Sequence, residues 1–255
     1  FNPSFLFIKG DGNPKFSTQD VGQLYLFELP FLIIGILLLF KKREGKWWIV
    51  PFWLLMGIIP AAAARETPHA LRIETSLPTF QILVAYGLVN TIILIKHHIS
   101  EIRIKYAIFT ALFVFFIFNL IYYLHGYYVH YPREYSGEWQ YGYKESIEYV
   151  KGVQDKYDQI LIATALGRPY VYYAFFTKTK PEIFRKTVIV KRDAFGFVTV
   201  SGFLKYRFAD NLSSIKTKTK KTLYVDTPGR VHPKGDVLKK FYLLNGEMAL
   251  VAYRL

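Results

Sequence analysis

Apolar residues run in four long blocks through the first half of the chain and then give way to short alternations. The blocks are Leu24–Phe40, Trp47–Ala64, Thr79–Ile95 and Tyr106–Leu124, each carrying at most one charge. Their lengths, roughly 17–19 residues, approach the ~20 needed to cross a hydrocarbon core of about 30 Å. Four such blocks within a hundred residues, joined by short charged loops, predict four transmembrane helices rather than buried helices of a soluble domain. Beyond Leu124 the periodicity changes. Gly142–Lys156 places Tyr143, Ile147, Val150 and Val153 at helical spacing, and Pro169–Thr177 reads as a second helix. Asp158–Thr164, Phe203–Phe208, Thr222–Asp226, Lys240–Leu244 and Ala249–Tyr253 read as strands, with a hairpin signal at Asn245-Gly246. The expected architecture is an α-helical membrane domain of four spans followed by a small extracytoplasmic α/β domain.

Charge follows the same division. Of 33 Lys and Arg and 19 Asp and Glu, 11 and 7 lie up to His125, and 22 and 12 lie beyond it. The net charge therefore rises from +4 in the first part to +10 in the second. The expected domains are 1–125, with external loops 1–23 and 65–78, and 126–255. Lys41, Lys42, Arg43 and Lys46 fill the loop after the first block, and Lys96, Arg103 and Lys105 fill the third loop. By the positive-inside rule these two loops are cytoplasmic, which puts the loop 65–78 and the carboxyl-terminal domain outside. The plasma membrane, crossed several times, is the expected location. The basic run Ser213–Lys221 reads first as a solvated loop; of its two possible binding uses, nucleic acid or anionic headgroups, the bilayer surface is the nearer partner for a tethered external domain, and no nucleic acid is expected. The absence of cysteine excludes disulfides and thiolate metal sites.

The most informative stretch is Arg65-Glu66-Thr67-Pro68-His69-Ala70-Leu71-Arg72. Thr67 and Pro68 read as the N-cap and first residue of a short helix, with His69 and Arg72 neighbours on it. Free backbone N–H groups at a helix start, together with forked guanidinium donors, suit a phosphate. Solvated loop charges are the plainer alternative. Lys9-Gly10-Asp11-Gly12-Asn13 reads as a tight turn, or as an outer loop laid over the same cleft. Glu28 sits either at the outer interface or facing a polar cavity. There is no Gly-rich phosphate fingerprint, metal-spaced His cluster or nucleophile elbow.

Several of these stretches resemble a known family. Phe5-Leu6-Phe7-Ile8-Lys9-Gly10-Asp11-Gly12-Asn13-Pro14 is one, and Gly22-Gln23-Leu24-Tyr25-Leu26-Phe27-Glu28-Leu29-Pro30 is another. Pro60-Ala61-Ala62, Pro68-His69-Ala70-Leu71-Arg72 and Glu138-Trp139-Gln140-Tyr141-Gly142-Tyr143-Lys144 complete the set. In content and order they resemble membrane glycosyltransferases of the GT-C superfamily, of the dolichyl-phosphate-mannose–protein mannosyltransferase and aminoarabinose lipid A transferase type. The resemblance implies transfer of a sugar from a polyprenyl-phosphate carrier, as donor substrate, to a protein, lipid or glycan acceptor at the outer face of the membrane. It implies a catalytic carboxylate in the first external loop of the fold, upstream of a chain that reads as a carboxyl-terminal fragment, so the catalytic base is unassigned. It casts Arg65, Glu66, His69 and Arg72 as the carrier-phosphate site, with Lys9, Asp11 and Glu28 as contributors from external loops. No metal ligands are assigned, and a need for a divalent ion stays open. A membrane-anchored binding module without catalysis is the alternative, and half of a transporter is a third reading.

Overall fold

The computed structural model describes residues 2–64, 66–192, 194–215 and 221–255. It divides into two compact units, Phe1–Tyr131 and Pro132–Leu255, each with its own core.

In the first unit, helix α1 spans Leu29–Lys42, α2 Ile49–Ala62, α3 Thr79–His98 and α4 Ile102–His125. The first two are shorter than their apolar blocks. Tyr25 is extended, Leu26–Glu28 makes a single 3-10 turn, and Pro30 fixes the first turn of α1. Arg43, in the left-handed region at φ 50°, stops α1. Each of α1 and α2 has 14 residues, about 21 Å of helix. That is less than the hydrocarbon thickness of about 30 Å. Among the described residues, α3 and the helical run Ile102–Glu134 that begins with α4 are long and apolar enough to cross a membrane. The expectation of four transmembrane helices followed by a small α/β domain is therefore overturned. Block hydropathy could not register where prolines, caps and left-handed residues trim a helix.

α1 packs on α3 through a reciprocal glycine contact. A Cβ on Gly35 would lie 2.0 Å from the Leu83 carbonyl oxygen, and one on Gly87 would lie 1.9 Å from that of Phe31. Bare glycine lets the two backbones touch there and buries Phe31, Leu32, Leu83 and Val84 around the crossing. α4 behaves differently: none of its residues is buried.

Helix α5, Tyr131–Glu134, runs across the boundary, and the second unit continues with α6 at Gly142–Val153, α7 at Pro169–Phe176 and α8 at Pro181–Thr187. Its strands among the described residues are β1 (Gln159–Ala163), β2 (Ile189–Arg192), β3 (Val198–Phe203), β4 (Tyr206–Ala209), β5 (Thr222–Asp226), β6 (Asp236–Tyr242) and β7 (Met248–Arg254). They form one mixed sheet in the order β2-β3-β4-β1-β5-β7-β6, with β1 parallel to both β4 and β5. The expected strand Phe203–Phe208 is two strands, broken at Leu204, whose φ is 47°. β2, exposed along its whole length, was not expected; its lack of a buried face leaves no period-2 signal.

Alternate residues of β1 face two separate cores. Ile160 and Ile162 meet Ile147 of α6 and Tyr173 of α7, while Leu161 and Ala163 meet Leu212, in the 3-10 turn Leu212–Ser214 that follows β4. The chain thus leaves β1 across one face of the sheet and leaves the adjacent parallel β4 across the other.

Candidate functional site

The segment 66–76 is held from two sides. On one side it is pinned to α2: Trp53 Nε1–H donates to the Thr75 carbonyl at 2.9 Å, and Thr75 Oγ1–H donates to the Gly57 carbonyl at 2.8 Å. A Cβ on Gly57 would meet Ser76 Cα at 2.5 Å, so only glycine permits this approach. On the other side is Asp11, a buried carboxylate. Its Oδ2 accepts the Ala70 N–H at 2.6 Å and its Oδ1 accepts the Asn13 N–H at 2.8 Å. The turn around Asp11 is itself fastened: Gln19 Nε2–H donates to the Asp11 carbonyl at 2.6 Å, and Ser17 Oγ–H donates to the Lys9 carbonyl at 3.0 Å. Gly10, at φ 76°, closes against Ser17, where a Cβ would come within 2.8 Å.

The helix expected to open at Thr67-Pro68 begins later. Leu71–Ser76 is a 3-10 helix with Ala70 as its N-cap. The Ala70 N–H is taken by Asp11, and the Arg72 and Ile73 N–H groups bond back to the His69 carbonyl. Three of the backbone donors that a helix start would offer a phosphate, those of Ala70, Arg72 and Ile73, are therefore occupied. Side chains are what the segment has to offer.

Of the expected residues, Asp11, Glu66, His69 and Arg72 come together. His69 turns inward, 7% exposed, with its ring 4.7 Å from that of Phe16. Its Nδ1 lies 3.7 Å from Asp11 Oδ2 and its Nε2 lies 3.8 Å from Glu66 Oε2. Both are ion-pair distances when the imidazole carries its second proton, yet neither is a hydrogen bond. Nδ1 is fully enclosed without a hydrogen-bond partner among the described residues. Arg72 stays half-exposed, its Nη1 donating to the Glu66 carbonyl at 3.2 Å. Glu66 thus steadies Arg72 through its backbone and approaches His69 through its carboxylate. Asp11 serves as a buried clamp on the segment.

Lys9 is exposed. Glu28 sits apart from the His69 cluster, its Oε2 accepting the Tyr25 N–H at 2.7 Å ahead of α1. It lines an apolar cavity of about 560 Å³ with Gln81 and residues of α3 and α4. Arg65 lies outside the described residues, as do residues 216–220 of the basic run. Sequence reasoning missed Trp53, Phe16 and Gly57 as supports. The one hint was a glycine standing alone in an otherwise bulky apolar block.

Beside the cluster lies a cavity of about 390 Å³ whose wall includes Phe5, Ile58, Ala61, Pro68, Ile73 and Phe80. Pro68 and Ile73 flank the residues of the cluster in sequence, so one short segment presents an apolar wall and a guanidinium together. No protein-family model, curated protein or solved structure matches the chain.

Proposed function

We propose that this chain is part of a membrane glycosyltransferase of the GT-C type, using a polyprenyl-phosphate-linked sugar at the outer face of the plasma membrane. The observation that carries the reading is Arg72 on the same short segment as the wall of an apolar cavity. A prenyl phosphate has two parts of opposite character, and this arrangement offers each a partner. Arg72 takes the phosphate with its forked donors, and the cavity takes the first prenyl units. As the glycosidic bond to the carrier breaks, negative charge grows on the phosphate, and a fixed guanidinium stabilises that charge. His69, Glu66 and Asp11 act as positioning residues that fix the segment. The acceptor hydroxyl needs a base, which the resemblance puts in a loop outside these residues, so none is assigned here.

Support for the membrane comes from α4. A 24-residue apolar helix with no buried residue, showing Phe113, Phe118 and Ile121 more than half exposed, needs an apolar surrounding. Tyr122 and Tyr123 at its end, and Tyr127 and Tyr128 just beyond it, are the residue type that settles at bilayer interfaces.

The test is binding of polyprenyl phosphate to the full chain in detergent, read by tryptophan fluorescence. Arg72→Ala should weaken it roughly tenfold, the worth of one charge-assisted hydrogen-bonded contact. The corresponding polyprenol, lacking phosphate, should bind wild type and variant alike. If Arg72→Ala binds the phosphate as tightly as wild type does, the assignment fails.

A further inference from the structure

We propose that the crevice at the carboxyl ends of β1 and β4 is a second binding site, for a sugar-sized ligand bearing a phosphate or carboxylate. The topology singles out the place. β1 and β4 are adjacent and parallel, and the chain leaves them over opposite faces of the sheet. In open α/β sheets such a divergence leaves a gap beyond the strand ends, because neither connection covers it, and ligands collect there. Here the gap is a cavity of about 530 Å³, within the range of small-molecule sites.

Its lining defines the ligand. Two cations, Arg168 after β1 and Lys191 of β2, border it, and neither side chain has an ion pair among the described residues. The acid on the same rim, Asp210, is already engaged: its Oδ1 accepts from Arg230 Nη1 at 3.0 Å. Among the described residues the local balance is thus positive. Thr199 and Ser201 spend their hydroxyl protons on the backbone carbonyls of Lys191 and Ile189, leaving the oxygens as acceptors toward the cavity. Tyr170 adds an aromatic wall. Acceptor oxygens, an aromatic wall and two cations match a ligand with several hydroxyl donors and one anionic group. That is an acidic or phosphorylated sugar. The inference does not rest on the carrier-phosphate reading, since every residue involved belongs to the second unit.

Calorimetric titration of the full chain in detergent with glucose 6-phosphate, with glucuronate and with glucose tests it. Saturable binding of either anion, with glucose failing to bind, supports the site. The tighter of the two anions then identifies a phosphosugar or a uronate. Arg168→Gln and Lys191→Gln should each weaken that binding roughly tenfold. Both residues are exposed, so the variants should melt with wild type, and Arg72→Ala should bind the same ligand normally. Glucose binding equal to that of the anions, unchanged affinity in both glutamine variants, or no saturable binding of either anion would overturn the proposal.

Discussion

Replacing Gly87 with alanine puts a methyl group 1.9 Å from the Phe31 carbonyl oxygen, about 1.5 Å inside ordinary van der Waals contact. In an isolated helix the same change stabilises by about 1 kcal/mol, because alanine loses less backbone freedom than glycine. Here the obstacle is backbone of the neighbouring helix, which cannot rotate away as a side chain could. α1 and α3 must separate, and the packing of Phe31, Leu32, Leu83 and Val84 loosens with them. Overpacking of this kind costs about 1–3 kcal/mol, and a rigid obstacle puts it at the upper end. Set against the helix gain, the net loss is about 2 kcal/mol, or roughly 6–10 °C in the melting of a unit this size. Gly35→Ala should behave alike. The double variant should lose less than the sum, because the first methyl has already parted the helices. Thermal melts of the full chain in detergent, followed through the fluorescence of Trp47, Trp48 and Trp53, provide the measurement. Gly126→Ala, with nothing within 4 Å of its added Cβ, is the control. Melting of both Gly35→Ala and Gly87→Ala at or above the wild-type temperature would refute the close-contact argument.

Asp11→Ala strips the acceptor from the Ala70 N–H, at about 1–3 kcal/mol if that donor is left dry, and from the Asn13 N–H, which is on an exposed residue and can turn to water. Amide exchange across 66–76 should quicken, and less so in Asp11→Asn, which keeps one acceptor. Burial holds the Asp226 carboxyl above its usual range, so the folded state grips that proton more tightly than the unfolded state. Its contribution to stability is complete below the ordinary carboxylate pKa and disappears as pH rises through the raised value. Asp226→Asn can retain the Oδ1 acceptor for the Thr227 N–H. Urea unfolding of the second unit should therefore depend less on pH as it rises above the ordinary carboxylate range in this variant, and an unchanged slope would count against it. The Arg254–Asp236 pair, 2.8 Å apart but 58% exposed on both sides, should matter little: Arg254→Ala should cost less than about 1 kcal/mol in the same assay.

Legibility in the sequence followed burial. β1, β5 and β7 are strands with several buried residues, and their apolar runs gave them away within a residue or two. α6 showed its one-sided stripe for the same reason. β2 buries nothing and was invisible, and the left-handed Leu204 that splits β3 from β4 carries no glycine to mark it. In the first unit, hydropathy located α1 to α4 but not their ends. Pro30, Arg43 and Pro60 were legible as residues, but their effect on length depends on backbone geometry that composition does not encode. The meeting of Asp11 with Ala70, 59 residues apart, was beyond any local pattern. The sequence named both loops; only the fold shows that the acid holds the other loop's backbone.

The placement of β1 also constrains how this chain can be made. It is the central strand, yet its two parallel neighbours are residues 206–209 and 222–226, which leave a ribosome or a translocation pore some 45–65 residues later. Until they arrive, Ile160 and Ile162 have helices to lie against, Leu161 has no partner on its face, and the strand has no ladder on either edge. The antiparallel hairpin of β6 and β7 must come later still. A truncation anywhere before residue 222 would leave the most apolar strand of the unit with an open edge, and a nascent chain paused there is the point at which a chaperone or a protease would find most to hold.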